Sequence, residues 1–343
     1  MVTVAVDAMG GDHAPDAIVA GAAEASTTVD AELALVGNEN TIRTLLSQLR
    51  HDATRIRIVH ADDVIPMDAS PRTALAEHPR ASLPVAAEVV AGKHGAGADA
   101  LVSAGNTGAV ILACAQAFQR IEGVTRTALA AVVPTERRRG KKSDPFTLLL
   151  DAGATVRVRA EDLVGFALMG AAYSRVISQN DRPRVALLSN GTEPNKGTEE
   201  IVQAHELLSK IDRIEFIGNV EGVDIPRGSA DVIVTDGFTG NVVLKMLEGV
   251  SETVMRLARY AYRNKLAWKI AMMLLSSGIK QLKSLTDWQQ YGGAPVLGFD
   301  RVCIKAHGRS GPRAIRNAIK VAAKCVEQDL SGQISDQLKS IRG

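Results

Sequence analysis

Several short segments combine glycine with side chains able to bind or activate an anion. The first is Asp7-Ala8-Met9-Gly10-Gly11-Asp12. Gly10 and Gly11 follow an apolar run and precede a helical stretch, so backbone can approach an anion where a helix N-terminus offers unpaired N–H groups. A tight turn capped by Asp12, with Pro15 in the helix's first turn, is the other reading of these residues. Ser103-Ala104-Gly105-Asn106-Thr107-Gly108 repeats the arrangement with Ser103, Asn106 and Thr107 as neutral donors suited to phosphate. Its alternative is ordinary capping by Asn106 or Thr107. Asn190-Gly191-Thr192-Glu193-Pro194-Asn195-Lys196-Gly197 carries a single cation, Lys196, in a loop that does not match GxxxxGK[ST]. Lys196 is therefore either a solvated side chain or a ligand-binding one. In Asp236-Gly237-Phe238-Thr239-Gly240-Asn241, the Asn241 amide can cap a helix or donate to a carbonyl oxygen that becomes an oxyanion. Tyr291-Gly292-Gly293-Ala294-Pro295 and Lys305-Ala306-His307-Gly308 read as further small-residue turns, with His307 a structural hydrogen-bonder or a base.

Absent motifs narrow the chemistry. No GxGxxG follows a strand, since Gly95-Ala96-Gly97 precedes one, and GxSxG, HExxH and paired CxxC are all missing. Cys114, Cys303 and Cys325 lack metal-ligand or redox-pair spacing, so buried thiols in a reducing compartment are expected. Neither a covalent serine or cysteine mechanism nor a structural metal is supported, and no cofactor is expected.

Loops of this kind need a scaffold. Continuously apolar runs at Val2–Val6, Leu33–Val36, Ile56–Val59, Leu101–Val102, Ala128–Val133, Leu148–Leu150, Val185–Leu188, Ile214–Ile217 and Val232–Val234 read as strands covered on both faces. Helical stretches such as Ala14–Ser26, Asn40–Leu49, Gly108–Gln119 and Glu161–Ser178 lie between most of them. The fold class predicted is α/β, a largely parallel sheet with flanking helices, and the glycine-rich loops should converge beyond the strands' carboxyl ends.

The chain has 343 residues, 46% hydrophobic and 23% charged, which suits one large domain or two modest ones. A net charge of +2 and 3% aromatic residues argue against nucleic-acid binding. The run Arg137-Arg138-Arg139-Gly140-Lys141-Lys142 reads as a solvated loop or hairpin tip, or as a contact for an acidic partner. The first residues lack a leader's charged and apolar regions. The longest apolar run, Ile270–Ile279, falls short of the roughly 18 residues a spanning helix requires. A cytoplasmic protein, at most lying on a membrane surface, is expected.

In order along the chain, DAMGGDHAP, SAGNTGA, LDAGAT, NGTEPNKGTEE, FIGNVEGVDI, DVIVTDGFTGNVVLK, YGGAPVLG and KAHG closely resemble the PlsX family. The blocks run from Asp7 to Gly308, nearly the whole chain, as one PlsX-like α/β domain spanning 1–343. The resemblance implies a phosphate acyltransferase of phospholipid synthesis that moves a long-chain fatty acyl group from acyl carrier protein to inorganic phosphate. The acyl phosphate product passes to a membrane glycerol-3-phosphate acyltransferase (PlsY). It also implies a fold similar to phosphotransacetylases and isocitrate-dehydrogenase-like proteins, with a protruding helical pair and a homodimer formed through long helices. By motif, Lys196 and Asn241 match the family's catalytic pair. The loops carrying Asp7, Gly10, Gly11, Asp12, Ser103, Asn106, Thr107, Gly108, Gly237, Thr239 and His307 are expected to complete the substrate- and phosphate-binding pocket. Two positions depart from the family pattern: Thr155 stands where the LDxGAN block ends in Asn, and the basic insert at Arg137–Lys142 is longer than usual.

A thioester is already activated, so direct attack by phosphate needs no acyl-enzyme, only orientation and an oxyanion donor. Around 242–286 the sequence adds a basic amphipathic helical segment. From Thr253 to Thr286 it carries Arg256, Arg259, Arg263, Lys265, Lys269, Lys280 and Lys283 without an acidic residue, beside Trp268, Leu274, Leu275 and other apolar side chains. Basic charge with a broad apolar face suits an anionic membrane surface, contacted through Leu274, Leu275, Lys269 and Lys280, or a dimer interface with a basic rim.

Overall fold

The computed structural model describes residues 1–139, 144–264 and 292–342. Strand and helix alternate through most of the chain. In order these are β1 (Val2–Asp7), α1 (Asp16–Thr28), β2 (Ala31–Gly37), α2 (Glu39–Leu46), β3 (Ile56–His60), α3 (Pro71–Glu77), α4 (Ser82–Val90), β4 (Ala100–Ser103) and α5 (Thr107–Ala117). Next come β5 (Ala128–Leu129), β6 (Ala131–Arg139), β7 (Asp144–Leu150), α6 (Ala160–Tyr173), β8 (Arg184–Leu188), α7 (Glu199–Leu208) and β9 (Glu215–Val220). The remainder is α8 (Asp224–Arg227), β10 (Val232–Val234), α9 (Gly237–Asn264), β11 (Ala294–Leu297), β12 (Val302–Lys305), α10 (Pro312–Glu327) and α11 (Leu330–Arg342).

The strands form two sheets. A seven-stranded sheet runs β3-β2-β1-β4-β12-β11-β5, and a five-stranded sheet runs β6-β7-β10-β8-β9. Pairing is parallel from β3 through β12 in the first sheet and from β7 through β9 in the second. Antiparallel pairing is confined to β11, β5 and β6 at the margins. Chain connectivity joins the sheets at Ala130, which separates β5 from β6 and donates its N–H to Pro295 O at 2.9 Å. One cluster of buried side chains includes Leu35, Val102 and Ile304 of the first sheet with Leu150, Val185 and Val232 of the second.

The central strands bury both faces, as their uninterrupted apolar runs require: β4, β10 and β12 are buried at every residue. Helix α10 shows the complementary pattern. Pro312 opens its first turn, and Ala314, Ile315, Ala318, Ile319, Ala322 and Ala323 form one buried stripe against the first sheet.

The α/β class and parallel pairing stand as predicted. Where the sequence predicts turns at Tyr291–Pro295 and Lys305–Gly308, Ala294 opens β11 and Lys305 closes β12, an antiparallel pair, and the strands divide between two sheets. Strands of only four residues carry too little pattern to separate from turns. The basic run ends β6 at Arg137–Arg139 beside the start of β7, and 140–142 lie outside the described residues. So does the 265–286 part of the expected helical segment, including Lys269, Leu274, Leu275 and Lys280. Among the described residues, no helix is long and apolar enough to cross a membrane.

Candidate active site

Three adjacent parallel strands of the first sheet, β1, β4 and β12, end in the loops Asp7–Asp12, Ser103–Thr107 and Ala306–Arg309. Asp7 organises them from beneath. Its carboxylate is buried and accepts the Ser82 and Ser103 hydroxyls at 2.6 and 2.7 Å and the Met9 N–H at 3.3 Å. Burial raises its pKa above the ordinary carboxylate value, against the opposing effect of the two serines. Gly10 lets the first loop pass the second: a Cβ there would lie 3.0 Å from the Gly105 Cα, backbone against backbone. Asp12 N–H donates to Gly308 O at 2.9 Å, which ties the first loop to the third.

The second sheet repeats the device. Adjacent parallel strands β7, β10 and β8 end in the loops carrying Asp151–Thr155, Thr235–Asn241 and Ser189–Thr198. Asp151 is buried, its pKa raised by burial, and its carboxylate accepts N–H groups of Leu129 (2.8 Å), Gly153 (3.0 Å), Ala154 (3.0 Å) and Thr155 (2.5 Å). Against this loop docks the start of α9. A Cβ at Gly237 would meet Asp151 Oδ2 at 2.5 Å, so only glycine allows the approach, and Gly237 N–H donates to Thr155 O at 2.9 Å.

Asp236 caps α9 by accepting the Thr239 N–H at 2.9 Å. Of the two uses open to Asn241, the cap is therefore taken by another residue. Asn241 sits one turn into the helix, exposed, with its amide against Gly153: a Cβ on that glycine would lie 3.7 Å from Asn241 Cγ. Lys196 is exposed in the neighbouring loop, its stem packed beside Gly191, and it makes no ion pair among the described residues. The Glu193 carbonyl braces that loop, accepting the Lys196 N–H at 3.1 Å and the Asn219 side-chain amide at 2.9 Å. Glu200 at the start of α7 is held below its usual pKa by the Thr198 hydroxyl, and the charge of Asp236 opposes this.

Helix α9 then runs from the second rim to the first. Lys245 pairs with Glu248 at 2.8 Å, the other Glu248 oxygen lies 3.8 Å from His307 Nε2, and Arg309 meets Glu252 at 3.3 Å. Lys305, unremarked as an individual residue in the sequence, is buried at the end of β12. Its ammonium donates to Ala104 O at 3.4 Å and to Ala306 O, and burial pushes its pKa down to about 8. A lysine within KAHG carries no local signal of burial; only the pairing of β12 between β4 and β11 supplies it.

The structure distributes the remaining candidates unevenly. Asn106 takes the capping alternative: Oδ1 accepts the Ala109 N–H at 3.1 Å while Nδ2 donates to Met67 O and Ala69 O at 2.9 and 3.2 Å. Thr107 begins α5, and Gly108 faces Pro71 so closely that a Cβ would lie 2.5 Å from its Cγ. Thr155 spends its hydroxyl on Thr127 O at 3.0 Å. Among the described residues, no group of three or more His, Cys, Asp or Glu converges as metal ligands would.

Two glycine-lined rims of parallel strands, bridged by one helix, make an α/β scaffold with its loops gathered at strand ends. A family model described as a fatty acid synthesis protein matches residues 2–333. Phosphate acyltransferase of Thermoanaerobacter pseudethanolicus is 39% identical over 339 residues, 98% of either chain. That of Oceanobacillus iheyensis is 41% identical over 338 residues, again 98% of each. The fold is similar to a phosphotransacetylase from Streptococcus pyogenes, with a TM-score of 0.63 at 16% identity, covering 95% of this chain and 94% of that one. The chain belongs to this fatty acid synthesis family, the PlsX phosphate acyltransferases, and is an acyltransferase of lipid biosynthesis.

Proposed function

We propose that the protein transfers a long-chain acyl group from the thioester of acyl carrier protein to inorganic phosphate by direct attack. The observation that carries this reading is that Lys196 lies in the loop after β8 and Asn241 in the first turns of α9, which follows the adjacent strand β10 and leads to the glycine-lined rim of the first sheet. Phosphate binds at these loops; Lys196 orients it or assists the departing thiolate, and the Asn241 amide donates to the tetrahedral oxyanion. Since a thioester needs no prior activation, positioning supplies up to roughly 7–11 kcal/mol of the barrier reduction. The curated relatives' name, phosphate acyltransferase, supports the reaction class.

The test is consumption of acyl carrier protein thioester by purified protein with and without phosphate, with hydroxylamine present to trap acyl phosphate. Thioester loss that ignores phosphate, or a stable acylated side chain, would sink the direct-attack reading.

The exposed apolar positions Phe238, Val242, Met246, Val250, Val254 and Leu257 recur along α9 at helical spacing and support the homodimer. A peripheral, cytoplasmic-face location on an anionic membrane, reached through the 253–286 segment, would deliver a lipophilic acyl phosphate to a membrane acyltransferase. Co-sedimentation with anionic vesicles, comparing wild type with Leu274→Glu/Leu275→Glu, tests it: equal recovery leaves dimerisation as that segment's only role.

A further inference from the structure

Between α9 and the first sheet lies a cluster that Lys196 and Asn241 do not use. Glu248 contacts both Lys245 and His307, so an ammonium and an imidazole share one carboxylate. Lys305, two residues before His307, places a second ammonium under the same loop through its bond to Ala306 O. Arg309 flanks the group and is held by Glu252. Charges from several elements act on Lys305: Cys303 of β12, Asp7 of β1 and Asp12 of the loop after it raise its pKa, and Lys245 of α9 lowers it.

The charge of Lys245 acts against that of Lys305, and a buried ammonium loses most of its hydration. Asp7 offsets part of that cost, but Ser82 and Ser103 already hold its carboxylate. Two of Lys305's three N–H groups have the carbonyls of Ala104 and Ala306. His307 adds a donor. Its Nδ1 accepts the Arg309 N–H at 3.1 Å, so the neutral ring carries its proton on Nε2, on the side of α9. Burial keeps that ring's pKa below the ordinary histidine value, with Lys245, Lys305 and Arg309 acting in the same direction and Glu248 opposing.

We propose that Lys245, Lys305 and His307 form a phosphoryl-oxyanion site where α9 meets the loop after β12. Lys245 lies one turn beyond Asn241, about 6 Å along the helix axis, so the bound oxyanion sits within one substrate's length of the proposed chemistry. The proposal rests on the acyl-to-phosphate reading, in which phosphoryl chemistry has two sources: inorganic phosphate, and the phosphodiester of the carrier's pantetheine arm.

The experiment compares wild type, Lys245→Met and Lys305→Met, with folding checked by thermal melting. Inorganic phosphate affinity is read by titration calorimetry, and KM is read separately for acyl carrier protein thioester and for acyl pantetheine, which lacks the phosphodiester. If free phosphate occupies the site, both variants lose phosphate affinity by about tenfold or more, the scale of one charge-assisted hydrogen bond, and keep their acyl pantetheine KM. If the phosphodiester occupies it, KM rises by a similar factor for the carrier thioester alone. Lys245 is exposed, so its variant decides the question even where Lys305→Met fails to fold. Wild-type values for phosphate and carrier thioester in a folded Lys245→Met overturn the site. Wild type without phosphate-dependent turnover overturns the acyl-transfer reading instead, and phosphate affinity still judges the cluster.

Discussion

The Asn219 side-chain amide donates to the Glu193 backbone carbonyl at 2.9 Å, joining strand β9 to the loop that carries Lys196. His205 holds Asn219 in turn, its Nδ1 lying 3.0 Å from Asn219 Oδ1, and Phe216 packs edge-on against the His205 ring at 5.1 Å. A loop of glycine, proline and small polar residues has little packing of its own, so this bond sets where Lys196 stands. Asn219→Ala is expected to lower turnover about ten- to a hundredfold, the cost of misplacing a reacting group by about 1 Å. Steady-state rates with melting curves check this; a wild-type rate shows that the loop holds itself.

Lys196→Ala and Asn241→Ala are each expected to lower turnover by at least about a hundredfold, the scale of a lost oxyanion donor. Both side chains are exposed, so melting temperatures should barely move. A folded variant with near-normal turnover removes that residue from the chemistry.

Asp151→Asn tests what seats α9. The carboxylate accepts four backbone N–H groups, and an amide would turn its own N–H groups toward some of them. A loss of about 2–3 kcal/mol is expected from the unpaired buried donors. Urea unfolding measures it; an unchanged midpoint would show that the loop re-forms around the amide.

Lys305 makes an alkaline signature. Its pKa falls from 10.5 to about 8 on burial, so between those values the unfolded chain binds the proton that the folded chain has released. Stability contributed by this residue therefore rises with pH from about 8 to 10.5, because the cost of burying the ammonium is relieved. The urea midpoint of wild type should gain more between pH 8 and 10 than that of Lys305→Met, read as a difference so that other titrating groups cancel. Parallel pH dependence in the two proteins refutes the shifted lysine.

Much of this protein was legible in the chain itself. Val232–Val234 and Leu148–Leu150 could be named as buried strands because apolar residues on both sides of the pleat require cover on both faces. The ends of those strands located the rims, since glycines at Gly10 and Gly237 mark where backbones must pass without side chains. Tertiary structure decided which of these loops meet. Spacing along the chain cannot show that Asp7 and Asp151 serve the two sheets in the same way, each gathering donors from segments distant in sequence. Nor can it show that Asp236 caps α9, leaving Asn241 a turn inside, while Asn106 spends its side chain on its own cap and on Met67 and Ala69. Lys305 is the clearest case. Its burial and its lowered pKa arise from strand order, because solvation depends on neighbours in space rather than in sequence.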